Sequence, residues 1–79
     1  MTVAERVRRV LCKELFLRRD RLIMDSDGLQ GDLGADELDQ VEIIVALEEE
    51  FNINIPSEDA EVLDEVGKIV RYIENKIKG

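Results

Sequence analysis

The chemically capable side chains of this sequence are concentrated in one short run. Residues 36–50 hold Asp36, Glu37, Asp39, Glu42, Glu48, Glu49 and Glu50, seven acids with no base among them. Paired carboxylates can perform glycoside hydrolysis, but that chemistry needs one of them kept protonated by its surroundings, and nothing in this pattern builds a pocket to do so. The chain has no histidine, so the usual general base and the commonest metal ligand are missing. Its single cysteine, Cys12, can form neither an internal disulfide nor a thiolate-rich zinc site, which fits a reducing, cytoplasmic compartment. Asp25-Ser26-Asp27-Gly28 begins like a calcium loop, yet Leu29 interrupts the ligand series and no glutamate closes it. It reads better as an Asp-Gly turn. Weak, diffuse attraction of divalent cations to the acidic run is compatible with its charge. An enzyme with its own active site is therefore not expected.

The 79 residues carry 19 acids against 11 bases, a net charge of −8. Such a surface repels phosphates, which argues against nucleic-acid binding and favours partners with basic patches. Leu, Ile and Val are plentiful enough for a folded core despite 38% charged residues. The length suits one domain, residues 1–79, expected to be monomeric. No apolar run approaches the ~20 residues of a membrane span, and no signal-peptide pattern is expected at the start.

The elements that must position the acids are helices around one long loop. Thr2 and Glu5 have capping-box spacing. Val3, Val7, Val10, Leu11 and Leu15 then recur at helical steps, predicting a first helix to about Arg18. Turn-forming Gly28, Gly31 and Gly34 mark a connection of roughly fifteen residues, long for so small a domain, with Leu22, Ile23, Leu29 and Leu33 as its expected anchors. A second helix is expected from about Asp36, capped reciprocally with Asp39, to Phe51, with Asn52 as its stop. Ile53 and Ile55 alternate through an extended stretch that Pro56 closes. Ser57 is expected to cap a short helical turn over Glu58 to Val62. Asp64 is expected to cap a last helix with the apolar stripe Val66, Ile69, Val70, Ile73 and Ile77. The reading is all-α: a small bundle of three main helices and one short one.

The second helix has two apolar sectors. At about 100° per residue, Ile43, Ile44, Leu47 and Phe51 share one side, and Leu38, Val41 and Val45 lie ~130° away. Asp39, Glu42, Glu48 and Glu49 surround the second sector. Acids in the first turn suit the helix dipole, whereas Glu48, Glu49 and Glu50 at the other end oppose it. Two readings follow. The helix is packed on both sides, or the second sector is a docking stripe for a basic, partly apolar partner.

The segment Gly34-Ala35-Asp36-Glu37-Leu38-Asp39-Gln40-Val41-Glu42-Ile43-Ile44-Val45-Ala46-Leu47-Glu48-Glu49-Glu50-Phe51 resembles the acyl carrier proteins of fatty-acid synthesis. The likeness extends upstream through Leu29 and Asp32-Leu33-Gly34. Downstream it includes Ile55-Pro56, Asp59-Ala60 and the Val66 to Ile73 stripe, so it covers about the whole chain. The resemblance implies an acyl-carrier-like four-helix bundle with a long ordered loop between its first two helices. It also implies a place in fatty-acid or lipid metabolism. The partners implied are basic surfaces of enzymes of acyl-chain synthesis or transfer, docked on Asp36, Leu38, Asp39, Val41, Glu42, Val45 and Glu48.

In that family the motif reads Asp-Ser-Leu, and the serine is the attachment point of the cofactor 4′-phosphopantetheine. Here the matching position is Glu37, so no arm is expected on the chain as written. Ser26 and Ser57 are its only serines. Ser26 sits far before the motif, and Ser57 and Thr2 are read as caps. Cys12 is read as a small, buried apolar side chain. Glu37 itself has two readings. It is a surface acid favoured by ~0.3–1 kcal/mol at a helix start, or its carboxylate imitates the charge of the attached phosphate. The alternative to an armless protein is a true carrier, with Glu37 marking a divergent copy or an engineered Ser-to-Glu change.

Overall fold

The computed structural model describes residues 1–18 and 21–78. In chain order its elements are α1 (Val3–Glu14), α2 (Glu37–Phe51), α3 (Ser57–Ala60) and α4 (Val66–Lys78). There are no strands among the described residues; an isolated bridge pairs Gly28 with Glu65. This is the expected all-α bundle of three main helices and one short one.

Helix α1 begins with the capping box expected of Thr2 and Glu5, each side chain accepting from the other's backbone N–H. Its end differs from expectation. The helix stops at Glu14, four residues before Arg18, because Phe16 turns into the left-handed region at φ 55°. The Leu17 N–H then donates back to the Cys12 carbonyl at 2.9 Å and the Phe16 N–H to Lys13. That pair of reversed bonds closes a helix as a Schellman turn, a place usually held by glycine.

The long loop is tied down from within. Ile23, Leu29 and Leu33 are buried as expected, but Leu22 is exposed. It precedes Ile23 in non-helical chain, where neighbouring side chains point apart, and Ile23 takes the inward place. The Asp27 and Asp32 carboxylates reach back to accept from the Met24 and Gly28 N–H groups at 2.9 and 2.7 Å, which fixes the turns at both ends of Asp27-Gly28. The loop also caps α4. The Val66 and Gly67 N–H groups donate to the Asp27 and Asp25 carbonyls at 3.0 and 2.8 Å. Asp64, the expected cap, instead holds Lys68 Nζ at 2.9 Å. A Cβ at position 67 would lie 3.1 Å from the Asp25 carbonyl oxygen, so the close approach of loop and helix favours glycine there.

Two further expectations are corrected. Helix α3 is Ser57–Ala60 with Pro56 at its N-cap and no side-chain capping bond, so Ser57 is its first residue and not its cap. Ile77, placed by periodicity in the α4 stripe, is half-exposed in the last turn, past the end of the core.

That core joins Val7, Val10 and Leu11 of α1, Ile43, Leu47 and Phe51 of α2, and Val66, Ile69, Val70 and Ile73 of α4. Ile55 and Leu63 close it from the segments around α3. Each fully buried Leu or Ile contributes about 1.5–3 kcal/mol. Cutting Leu47, which has no exposed surface, to alanine would cost about 2–5 kcal/mol. At the α3–α4 contact the Tyr72 hydroxyl donates to Asp59 at 2.6 Å.

Candidate functional face of helix α2

The start of α2 is fixed by the chain before it. Gly34 adopts φ 73°, a left-handed conformation that glycine takes without penalty. Ala35, buried, donates its N–H to the Leu29 carbonyl at 2.8 Å. Asp36 is then the N-cap. Its side chain accepts from the Asp39 N–H at 2.8 Å, and the Asp39 carboxylate accepts from the Asp36 N–H at 3.1 Å. Both acids are thus occupied in capping. Glu37 follows as the first helical residue, exposed to solvent, where the free N–H groups and the dipole favour a negative charge.

Farther along, the two apolar sectors separate as the wheel predicts. Ile43, Leu47 and Phe51 are buried and Ile44 packs half-buried against the core. Leu38, Val41 and Val45 are 65%, 61% and 49% exposed. The second sector is therefore not an internal packing surface. It is an open apolar stripe with Glu37 at its head and Glu42 beside it.

The acids at the far end of α2 have different surroundings. Glu48, expected on the docking stripe, is half-buried, and its carboxylate accepts from the Ile55 N–H at 2.8 Å. Glu50 is held by Arg6, whose Nε and Nη2 donate to the carboxylate and the backbone carbonyl at 2.9 and 2.7 Å. The same guanidinium lies 4.3 Å over the Phe51 ring. Glu42 and Glu49 are exposed and make no hydrogen bond or ion pair among the described residues. Asn52 ends the helix at φ 52°, as its type allows.

The structure brings in residues that the sequence reading did not single out. A groove of about 500 Å³ runs between α1 and α2, lined by Val10, Lys13 and Glu14 on one side and Val41, Glu42, Val45, Ala46, Glu49 and Glu50 on the other. Its α1 wall depends on how two helices distant in sequence pack, so no local signal marks it. The two serines lie elsewhere, Ser26 exposed in the long loop and Ser57 exposed at the start of α3.

Comparison with known proteins agrees with this geometry. The family described as phosphopantetheine attachment sites matches residues 5–73. A candidate acyl carrier protein from Mycobacterium tuberculosis is 31% identical, with a TM-score of 0.82, over 99% of this chain and 100% of that one. Another from Anaplasma phagocytophilum is 33% identical, with a TM-score of 0.84, over 94% of this chain and 86% of its own. Sequence match, fold and an exposed acidic second helix together place the chain in the phosphopantetheine-binding acyl carrier protein family.

Proposed function

We propose that this chain is an acyl-carrier-like protein of fatty-acid and lipid metabolism that docks basic partner enzymes through α2 and holds no phosphopantetheine arm. Carrier proteins of this family are not enzymes, so its work is recognition by enzymes that make or transfer acyl chains. The carrying observation is the open stripe of Leu38, Val41 and Val45 on a helix whose charged residues are all acids, with Glu37 at its first position. Asp36 and Asp39 shape the start of that face as caps, and Glu42 flanks it. A single cytoplasmic domain is part of this reading; no described helix is long and apolar enough to cross a membrane.

The donor chemistry at the head of α2 does not fit the family's cofactor. Glu37 aligns with the attachment serine of the resemblance. A carboxylate is a weak nucleophile toward a pyrophosphate, and its product would be a labile acyl phosphate in place of a stable phosphodiester. Neither Ser26 nor Ser57 lies at the start of α2. The exposed Glu37 carboxylate instead offers a fixed negative charge where the loaded family members carry a phosphate, so an enzyme that reads that charge can still dock.

Mass measurement after co-expression with a phosphopantetheinyl transferase tests the reading. An unchanged mass is expected for this chain and one added phosphopantetheine for Glu37→Ser. Addition to the unaltered chain would establish the alternative, a true carrier that shuttles acyl thioesters.

A further inference from the structure

Seven of the eleven bases fall in residues 1–21, against three of the nineteen acids. The fold gathers part of that charge around a second groove, of about 810 Å³, between α1 and residues 21–23. Val10, Cys12, Leu17 and Ile23 give the groove an apolar lining, and Arg9, Lys13 and Arg21 give it charge. None of these three bases meets a carboxylate among the described residues. Arg21 Nη2 donates to the Asp32 carbonyl at 2.9 Å, Arg9 Nη1 to the Met1 sulfur at 3.0 Å, and the Lys13 ammonium makes no hydrogen bond or ion pair. The one acid of the lining, Glu50, is already held by Arg6. In a chain with an excess of acids, a face with three uncompensated bases attracts an anion from outside. Large apolar side chains stand out beside them. Leu22, also in the lining, is 76% exposed, and Phe16 is 93% exposed. Phe16 follows one turn after Lys13, whose carbonyl accepts its N–H, and precedes Leu17 of the lining. Its backbone is held at φ 55° with no burial in return, and strain kept without structural return points to a use outside the fold.

We propose that this face settles on anionic lipid bilayers, with Phe16 and Leu22 entering the headgroup region and Arg9, Lys13 and Arg21 pairing with lipid phosphates. Two features select a bilayer over an acidic protein. A side chain 93% exposed stands clear of the surface; a protein partner would need a pocket shaped for it, whereas lipid closes around it. The bases are long and flexible, so their charges reach the phosphates while their stems lie along apolar surface. The excess of acids does not forbid such contact. The molecule measures 32 × 27 × 21 Å, and charges farther apart than about 8 Å are largely screened at physiological ionic strength. The face therefore decides, not the net charge. Binding of this kind is weak and reversible, and it does not depend on the α2 stripe.

The test floats the unaltered chain with vesicles of phosphatidylcholine, alone or with about one-third phosphatidylglycerol. Binding is expected only to the anionic vesicles and should fall as salt is raised. The chain has no tryptophan, so Phe16→Trp gives a single emission that should shift to the blue on the anionic vesicles. Each base contributes about fivefold, so Arg9→Gln with Lys13→Gln should weaken binding about ten- to thirtyfold. Phe16→Gly should weaken it about five- to tenfold while relieving the backbone strain, so that loss cannot arise from misfolding. Equal flotation with neutral vesicles, none with anionic vesicles at low salt, or indifference to these substitutions would overturn the proposal. Flotation without an emission shift would place the contact elsewhere and overturn it too. An amphipathic leucine–glutamate peptide separates the other occupant. Amide shifts from it at Arg9, Lys13 and Leu17, without vesicle binding, would assign the face to an acidic protein and end the bilayer reading.

Discussion

The Glu48 carboxylate accepts the backbone N–H of Ile55 at 2.8 Å, across the turn that carries the chain out of α2. Ile55 is buried, so its N–H has few alternatives, and an unpaired buried donor costs about 1–3 kcal/mol. Glu48→Ala should destabilise the fold by roughly 1–2 kcal/mol in urea denaturation, and Glu48→Gln, which keeps an acceptor oxygen, by less. Equal losses for both variants would show that charge, not the hydrogen bond, matters there.

Glu42 should behave in the opposite way. It is exposed and bonded to nothing among the described residues, so Glu42→Ala should leave stability within about 0.5 kcal/mol. Its effect belongs in partner binding, measured by calorimetry against a basic acyl-chain enzyme at two salt concentrations. Affinity should fall and become less salt-dependent. Binding that ignores the substitution at low salt would remove Glu42 from the docking face.

Phe16 is the most conspicuous local conflict in the fold. Its side chain is 93% exposed while its backbone sits at φ 55°, so it bears left-handed strain of about 1–2 kcal/mol without compensating burial. Phe16→Gly removes that strain and adds unfolded-state entropy of about 0.5–1 kcal/mol. The net expectation is a stabilisation of about 0.5–1 kcal/mol by urea denaturation. A loss of stability would mean that the aromatic ring contributes contacts despite its exposure.

These residues also mark how far the sequence could be read. The caps of Thr2 and Asp36, the stop at Asn52 and the two sectors of α2 were legible because each depends on side chains within one or two turns. The end of α1 was not, since a phenylalanine gives no sign of a left-handed conformation. The capping of α4 was not either, although its start at Val66 was: its first N–H groups are satisfied by Asp25 and Asp27, some forty residues earlier, and Asp64 is drawn off to Lys68. For the site, the acids and the stripe were visible, but their division of labour was not. Glu48 and Glu50 are committed by partners distant in the local pattern, Ile55 and Arg6, and the groove needs α1 beside α2.

The α3–α4 contact predicts a dependence on alkaline pH. The Tyr72 phenol is pushed above its ordinary value of 10.0, first by burial and next by its hydrogen bond to Asp59, with Lys76 pulling the other way. Only the protonated phenol can donate to that carboxylate. A folded-state pKa above the unfolded one means that its stabilisation is complete below about pH 10 and is lost as pH rises through the folded value. Tyr72→Phe removes the donor and should cost about 1 kcal/mol near neutral pH. The gap between the two proteins in urea midpoint should hold steady from neutral pH to about pH 9 and narrow above pH 10. A gap that persists unchanged at strongly alkaline pH would show that the Asp59 bond is not its source.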